Sequence, residues 1–201
     1  MIAIIAGDNP MKTLMITCLT MVLVAGMGSL QADTTDIRGV DVPKALKVGD
    51  DTLVLNGGER RRRWFMDIMV VSLYLPEPSS DAEAILASED PMAITLHITT
   101  DRITQERMSD SITEGFERST GGDTSAITGE KEALLAAFGE ELSDGDLIEL
   151  IYTSESRVKV RHNGEVQGEV ESSMAFKEAL FGIWLGEEPP EEDMKQRMLG
   201  E

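Results

Sequence analysis

A long apolar run from Trp64 to Leu75 constrains this chain more than any other segment. Successive side chains of an extended strand point to opposite faces. Here both sets are apolar: Trp64, Met66, Ile68, Val70 and Tyr74 on one face, and Phe65, Met69, Val71, Leu73 and Leu75 on the other. Such a strand belongs at the centre of a covered sheet. We therefore predict a central strand from about Arg61 to Leu75, ended by Pro76 and Pro78.

Four consecutive arginines, Arg60 to Arg63, precede this run and follow the segment Asn56-Gly57-Gly58. Glycine supplies positive φ without steric cost, so the segment predicts a turn. The arginines then lie at the rim of a hydrophobic interior, and two interpretations are open. They bind an external anion, or they pair with the many carboxylates of the chain itself.

The first 32 residues have the pattern of a secretory signal peptide. From Met11 the chain reads Met-Lys-Thr, an apolar stretch from Leu14 to Ala25, and Leu30-Gln31-Ala32 before Asp33. This order predicts initiation at Met11, with residues 1–10 as an upstream extension. It also predicts cleavage near Asp33, a mature domain over residues 33–201, and a periplasmic location. A retained membrane anchor is the alternative, although the apolar stretch is short for a span.

The composition of the mature domain excludes several classes of site. Cys18 lies inside the predicted signal peptide, so no disulfide, thiolate metal site or cysteine nucleophile is expected. The two histidines, His97 and His162, lack acidic neighbours in metal-binding spacing, so no metal is expected. The sequence has no glycine-rich phosphate loop or dinucleotide fingerprint, so no cofactor is expected either. The formal net charge of -19 disfavours binding to nucleic acid or to anionic membranes, and no stable membrane insertion is expected after processing. We interpret the acidity as a solubility feature.

Strand and helix patterns indicate one α+β domain. A strand is expected from Met92 to Thr99, half-buried because its polar side chains alternate with apolar ones. Serine or threonine at an N-cap predicts helices beginning after Ser79 or Ser80, Thr104, and Ser172 or Ser173. Asn163-Gly164 predicts a tight hairpin. Short connections predict a large antiparallel sheet with helices packed on one face.

The order of these elements resembles the bacterial, exported branch of the chalcone isomerase-like family. The resemblance is carried by Leu55-Asn56-Gly57, the arginines, Leu73-Tyr74-Leu75-Pro76, the strand and helix from Ile94 to Phe116, and Ala175 to Gly186 with its terminal Ile183-Trp184-Leu185-Gly186. It implies an open-faced β-sandwich, in which helices pack on a large antiparallel sheet and leave a ligand cleft.

The resemblance also implies roles for particular residues. Arg61 falls at the position of an arginine that binds the anionic end of the substrate in plant isomerases and a fatty-acid carboxylate in non-catalytic relatives. A one-residue bulge would substitute Arg60 or Arg62. The isomerase threonine, tyrosine and asparagine fall on Met69, Met108 and Gly115. A thioether or a glycine offers no hydrogen-bond donor, so isomerase activity is not expected.

The expected function is therefore binding of a fatty acid or another small amphipathic anion without catalysis. The expected ligand-binding residues are Arg61, Met69, Met108, Gly115, Phe116 and Trp64. One alternative is an intramolecular lyase or isomerase with a changed site, for which Tyr74, Tyr152 or Thr113 would supply a polar group near Arg61. The other is a periplasmic interaction module whose cleft is filled. Neither the ligand nor the oligomeric state follows from the sequence.

Overall fold

The computed structural model describes residues 33–63, 66–138 and 142–201, which include nine strands and five α-helices. The strands are β1 (Thr34–Ile37), β2 (Val40–Pro43), β3 (Ala45–Val48), β4 (Asp51–Arg63), β5 (Met66–Leu75), β6 (Met92–Ile98), β7 (Leu147–Thr153), β8 (Arg157–His162) and β9 (Glu165–Glu171). The helices are α1 (Ala82–Ala87), α2 (Gln105–Ser119), α3 (Thr128–Ala136), α4 (Met174–Leu185) and α5 (Glu192–Met198). A 3-10 turn at Ser125–Ile127 precedes α3. The predicted signal peptide lies outside the described residues.

Strands β3 to β9 form one antiparallel sheet in chain order. Alternate residues of the central strands point to one face, where they form the main core with the helices. The largest side chains of this core include Phe116, Phe138, Phe176, Phe181 and Trp184, all almost fully buried. This arrangement confirms the predicted fold class, a large antiparallel sheet with helices packed on one face.

The second face of the sheet carries a smaller core, as the apolar residues on both faces of the predicted central strand indicated. Its buried members include Val42 from the β1–β2 hairpin, Leu53, Val70 and Tyr74. The burial extends to polar positions, since Thr95 on β6 is only 2% exposed. The prediction of a half-buried strand here is therefore wrong, because residues from the hairpin and from β3 and β4 cover this face as well.

Helix starts were largely predictable because capping is local. Thr104 accepts a hydrogen bond from the Arg107 amide at the start of α2, and Ser173 does the same for Phe176 at the start of α4. Helix α1 differs from the prediction: its cap is the side chain of Asp81 rather than that of a serine.

The segment Asn56-Gly57-Gly58 lies inside β4 and is not the predicted turn. Consequently the arginines end β4, and the apolar strand β5 begins at Met66. The glycines provide space rather than a positive φ. A Cβ at Gly57 would lie 2.1 Å from the Arg197 carbonyl oxygen, and one at Gly58 would lie 2.7 Å from Ser72 Oγ.

Asn56 is an extra residue in β4, because Leu55 pairs with Tyr74 while Gly57 pairs with Leu73. Such a bulge turns a side chain away from the regular alternation. The Asn56 amide nitrogen donates to the carbonyls of Ser79 and Met198, and its oxygen accepts from the Ser79 amide. One side chain thus joins the sheet to the last helix and to the segment before α1.

Lys177 is fully buried in the core beneath α1. Its Nζ donates to the carbonyl oxygens of Ile85, Leu86 and Ser88, each at 2.7 Å, and lies 5.7 Å from the centre of the Tyr152 ring. The last carbonyls of a helix have no partner within the helix and carry partial negative charge. The ammonium group therefore caps α1 from inside the protein.

Candidate functional site: an arginine-lined cleft between the sheet and α2

Arg61 points to the helix-covered face of the sheet at the end of β4. It pairs across the ladder with Met69, and directly opposite residues share a face. Burial lowers the pKa of its guanidinium, and the nearby Arg118 and Arg63 act in the same direction. Glu191 and Glu114 oppose this effect. Among the described residues Arg61 forms no salt bridge, although an arginine remains charged in this environment.

A second bulge shapes the wall opposite Arg61. Arg61 pairs with Met69 but Arg62 pairs with Asp67, so Ile68 is an extra residue in β5. Both Ile68 and Met69 consequently belong to the helix-side core. The bulge therefore gives the arginine two adjacent apolar neighbours instead of one.

A cavity of about 400 Å³ lies between these residues and α2. Its apolar wall consists of Met66, Ile68, Met69, Ile103 and Met108. Its polar lining consists of Arg61, Arg63, Arg102, Arg107, Asp110, Ser111 and Glu114. We name it the α2 cavity. It combines an apolar wall with convergent charged groups, which is the composition of a site for a small amphipathic molecule.

A second cavity of about 440 Å³ adjoins the first and shares Arg61, Arg63 and Glu114 with it. We name it the α5 cavity because Glu191, just before α5, forms part of its wall. Its remaining lining residues are Arg62, Arg118, Pro189 and Pro190. Glu191 also accepts a hydrogen bond from the Arg62 amide at 2.9 Å, which joins the start of the last helix to the arginine strand.

The four consecutive arginines divide between the two interpretations that the sequence left open. Arg60 and Arg62 both pair with the carboxylate of Asp67. Arg61 and Arg63 have no carboxylate partner within salt-bridge distance among the described residues, and both line the two cavities. Self-pairing thus accounts for Arg60 and Arg62, of which Arg62 also borders the α5 cavity, while Arg61 and Arg63 face the cleft without a carboxylate partner among the described residues.

The structure brings together only some of the residues expected to bind a ligand. Arg61, Met69 and Met108 line the α2 cavity. Gly115 instead lies against α4, where an added Cβ would be 2.7 Å from the Ile183 side chain. Phe116 is fully buried and stacks on Phe176 with the ring centres 5.7 Å apart. Trp64 lies outside the described residues.

The three polar side chains considered for a changed active site lie elsewhere. The Tyr74 hydroxyl donates to the Pro43 carbonyl on the second face of the sheet, and burial raises its pKa. Tyr152 is in the main core, next to Lys177. The Thr113 hydroxyl donates to the Ser109 carbonyl of its own helix. Neither cavity beside Arg61 includes any of them in its lining.

Sequence reasoning missed the basic residues that α2 and its preceding loop contribute. Arg107, Ser111, Glu114 and Arg118 follow one another at intervals of four, three and four residues, which places them on one face of a helix. That spacing was a usable signal. No sequence signal pointed to Arg102, because it lies in a loop and only the fold brings it to the cavity.

Two other features are absent from the part of the chain that the structure describes. No cluster of three His, Cys, Asp or Glu side chains is arranged to hold a metal ion. No helix in these ranges is long and apolar enough to cross a membrane.

Comparisons with known proteins agree with this fold. The sequence profile described as chalcone isomerase-like matches residues 34–200, so the chain belongs to the chalcone isomerase-like family. No match was found among functionally curated proteins. A crystal structure of a fatty-acid-binding protein from Arabidopsis thaliana is similar, with a TM-score of 0.62 and 16% sequence identity. The likeness covers 83% of this chain and 96% of that one, and at this identity it shows the shared fold alone.

Proposed function

We propose that this protein binds a small amphipathic anion, such as a fatty acid, in the α2 cavity. The observation that carries the proposal is the half-buried Arg61, which has no carboxylate partner among the described residues and faces the apolar wall of Ile68, Met69 and Met108. A guanidinium offers a fork of donors that matches a carboxylate. The fatty-acid-binding protein that shares the fold lends the proposal further support.

The geometry of the charged end follows from the cost of desolvation. An anion that leaves water without a partner loses much solvation free energy, so its acid group needs Arg61. The hydrocarbon part gains by covering the methionine and isoleucine side chains. Methionine is unbranched and flexible, so this wall can adapt to chains of different shape.

Titration with a fluorescent fatty acid tests the proposal. Hydrogen bonds to a charged group contribute about 1.5–3 kcal/mol. Arg61→Ala should therefore weaken binding by roughly ten- to a hundredfold. Arg61→Lys should restore only part of the affinity, because lysine lacks the bidentate geometry. Arg197→Ala is the matched control, since Arg197 is exposed and lines neither cavity.

Unchanged affinity in Arg61→Ala would refute the assigned role of this arginine. The absence of saturable binding by the wild-type protein would refute ligand binding itself and favour the interaction module.

We further propose that the protein is exported to the periplasm and has no isomerase activity. The export proposal rests on the signal-peptide pattern of residues 11–32. The absence of isomerase activity rests on Met69 and Met108, which present thioethers to the α2 cavity, and on Gly115, which is packed against Ile183. None of the three can hold a water molecule or polarise a ketone as the isomerase chemistry requires.

A further inference from the structure

The arginines that form no salt bridge with a described residue are concentrated in one part of the structure. Five of the eleven form salt bridges within the described residues: Arg38, Arg60, Arg62, Arg157 and Arg161. Six do not. Five of these six, namely Arg61, Arg63, Arg102, Arg107 and Arg118, line the two adjoining cavities, and only Arg197 lies elsewhere.

This concentration needs a cause, because the chain has 37 acidic and 18 basic residues. Carboxylates outnumber cations by about two to one, yet none of these five arginines has a carboxylate within salt-bridge distance among the described residues. Apart from Arg62, which pairs with Asp67, the lining of the two cavities contains these five arginines and three carboxylates, those of Asp110, Glu114 and Glu191. Their lining therefore keeps an excess of about two positive charges in a chain of net charge -19.

A fatty-acid carboxylate neutralises one of these charges and leaves the other. A phosphate monoester matches the excess, because its second ionisation has a pKa of about 6 and it carries nearly two negative charges at pH 7. It also presents three acceptor oxygens, and arginine binds phosphate through paired donors. Several guanidiniums can therefore contact one phosphate from the walls of both cavities.

We infer that the preferred ligand has a phosphate monoester at its charged end and an alkyl or acyl chain at its apolar end. This inference rests on the proposed function, since it assigns the headgroup of a ligand in the same cleft. The phosphate lies at the junction of the two cavities, where Arg61 and Arg63 belong to both linings. The chain lies along Ile68, Met69 and Met108 in the α2 cavity.

Isothermal titration with three probes tests the headgroup: dodecyl phosphate, dodecanoate and inorganic phosphate, with both amphiphiles below their micelle concentrations. Dodecyl phosphate should bind at least tenfold more tightly than dodecanoate at pH 7.5. Inorganic phosphate should bind far more weakly than dodecyl phosphate, because it lacks the chain. Equal affinity for free phosphate would overturn the inference by showing a site for the ion alone.

The pH dependence gives an independent signature. Neither cavity is lined by a histidine. The charged groups that face the ligand are the five arginines, the carboxylates of Asp110, Glu114 and Glu191, and Arg62, which pairs with Asp67. Between pH 5 and 7.5 the dianionic fraction of dodecyl phosphate rises about tenfold, given a second pKa of about 6. Its affinity should rise by a similar factor, with a much smaller change for dodecanoate. A flat profile for dodecyl phosphate would contradict recognition of the dianion.

Variants separate this inference from the proposed function. Arg63→Gln should weaken dodecyl phosphate binding by about tenfold and dodecanoate binding less, because Arg61 remains for the carboxylate. Arg197→Gln removes the same charge outside both cavities and should change neither affinity. If dodecanoate binds as tightly as dodecyl phosphate, the headgroup inference fails while the proposed function stands. If neither amphiphile binds, both fail.

Discussion

Replacing Lys177 with methionine should destabilise the domain by up to about 4 kcal/mol. Methionine keeps most of the volume and the unbranched shape of lysine, so the substitution removes the ammonium group with little effect on packing. The three carbonyl oxygens at the end of α1 then lose their donor.

The magnitude follows from where those carbonyls lie. A buried polar group left without a partner costs about 1–3 kcal/mol. The bond to Ile85 is buried, and its loss is assigned about 2 kcal/mol. The bonds to Leu86 and Ser88 are only partly buried, so water can replace the donor and each loss is assigned about 1 kcal/mol. The sum is an upper limit, because methionine also removes the cost of burying the ammonium group, the same cost that lowers its pKa. Even so, it is a large share of the 5–15 kcal/mol typical of a domain.

Urea denaturation of a fragment spanning residues 33–201, followed by circular dichroism, measures this change. The midpoint should fall with little change in slope, as expected when stability changes but the surface exposed on unfolding does not. Lys47→Met is the control, because Lys47 is exposed and forms no side-chain hydrogen bond in the structure. It should alter stability by less than about 0.5 kcal/mol. A Lys177→Met variant within 1 kcal/mol of wild type would show that water caps α1 adequately and would refute the reasoning.

The same lysine predicts a pH dependence. Burial lowers the pKa of Lys177 from 10.5 to about 8 in the folded protein. On raising the pH, the folded state therefore releases this proton before the unfolded state does. Between pH 8 and 10.5 the unfolded chain binds more protons, so the Lys177 contribution to stability should rise with pH. Comparing the denaturation midpoints of wild type and Lys177→Met at pH 7.5 and at pH 10 isolates that contribution. If the midpoint changed with pH by the same amount in both proteins, the lowered pKa of Lys177 would be contradicted.

Three further predictions concern the packing at Gly57, isomerase activity and the predicted signal peptide. Gly57→Ala should lower the free energy of unfolding by at least about 2 kcal/mol, because the added Cβ overpacks against the Arg197 carbonyl. Gly129→Ala is the control in the same denaturation assay: its Cβ would lie in open space inside α3, so the substitution should be neutral or stabilising. Chalcone cyclisation should stay near the uncatalysed rate; an enhancement above roughly a hundredfold, the scale of one acid–base contribution, would oppose a purely binding role. If export is correct, N-terminal sequencing of the periplasmic protein should begin near Asp33, and an intact Met11 start in the membrane fraction would argue for an anchor instead.

Features that depend on neighbouring residues, such as strands, helices and their caps, could be predicted from the sequence. Features that depend on contacts between distant segments could not. Periodicity identified β5 and α2, and local capping identified Thr104 and Ser173. The glycines of β4 were misinterpreted because the space they provide is needed by Arg197, far along the chain.

The candidate site shows the same limit. Residue type and family resemblance pointed to Arg61, which the structure places in a cleft with Met69 and Met108. They could not show that Arg60 and Arg62 share Asp67, because that division depends on strand alternation and on the bulge at Ile68. Nor could they bring Arg102 to the cavity, since a loop residue has no periodic signal.

The adjacent Gly57 and Gly58 also bear on the order in which the chain folds. A Cβ at Gly57 would meet the C-terminal helix at Arg197, and one at Gly58 would lie 3.0 Å from Ile37 in the first hairpin. The Asn56 side chain reaches Met198, 142 positions away. The packing of the arginine strand is thus completed only when α5 has docked on it, which joins segments 142 positions apart. Contacts of such long sequence separation are slow to form, because the entropy of closing a long loop is lost before the contact is gained.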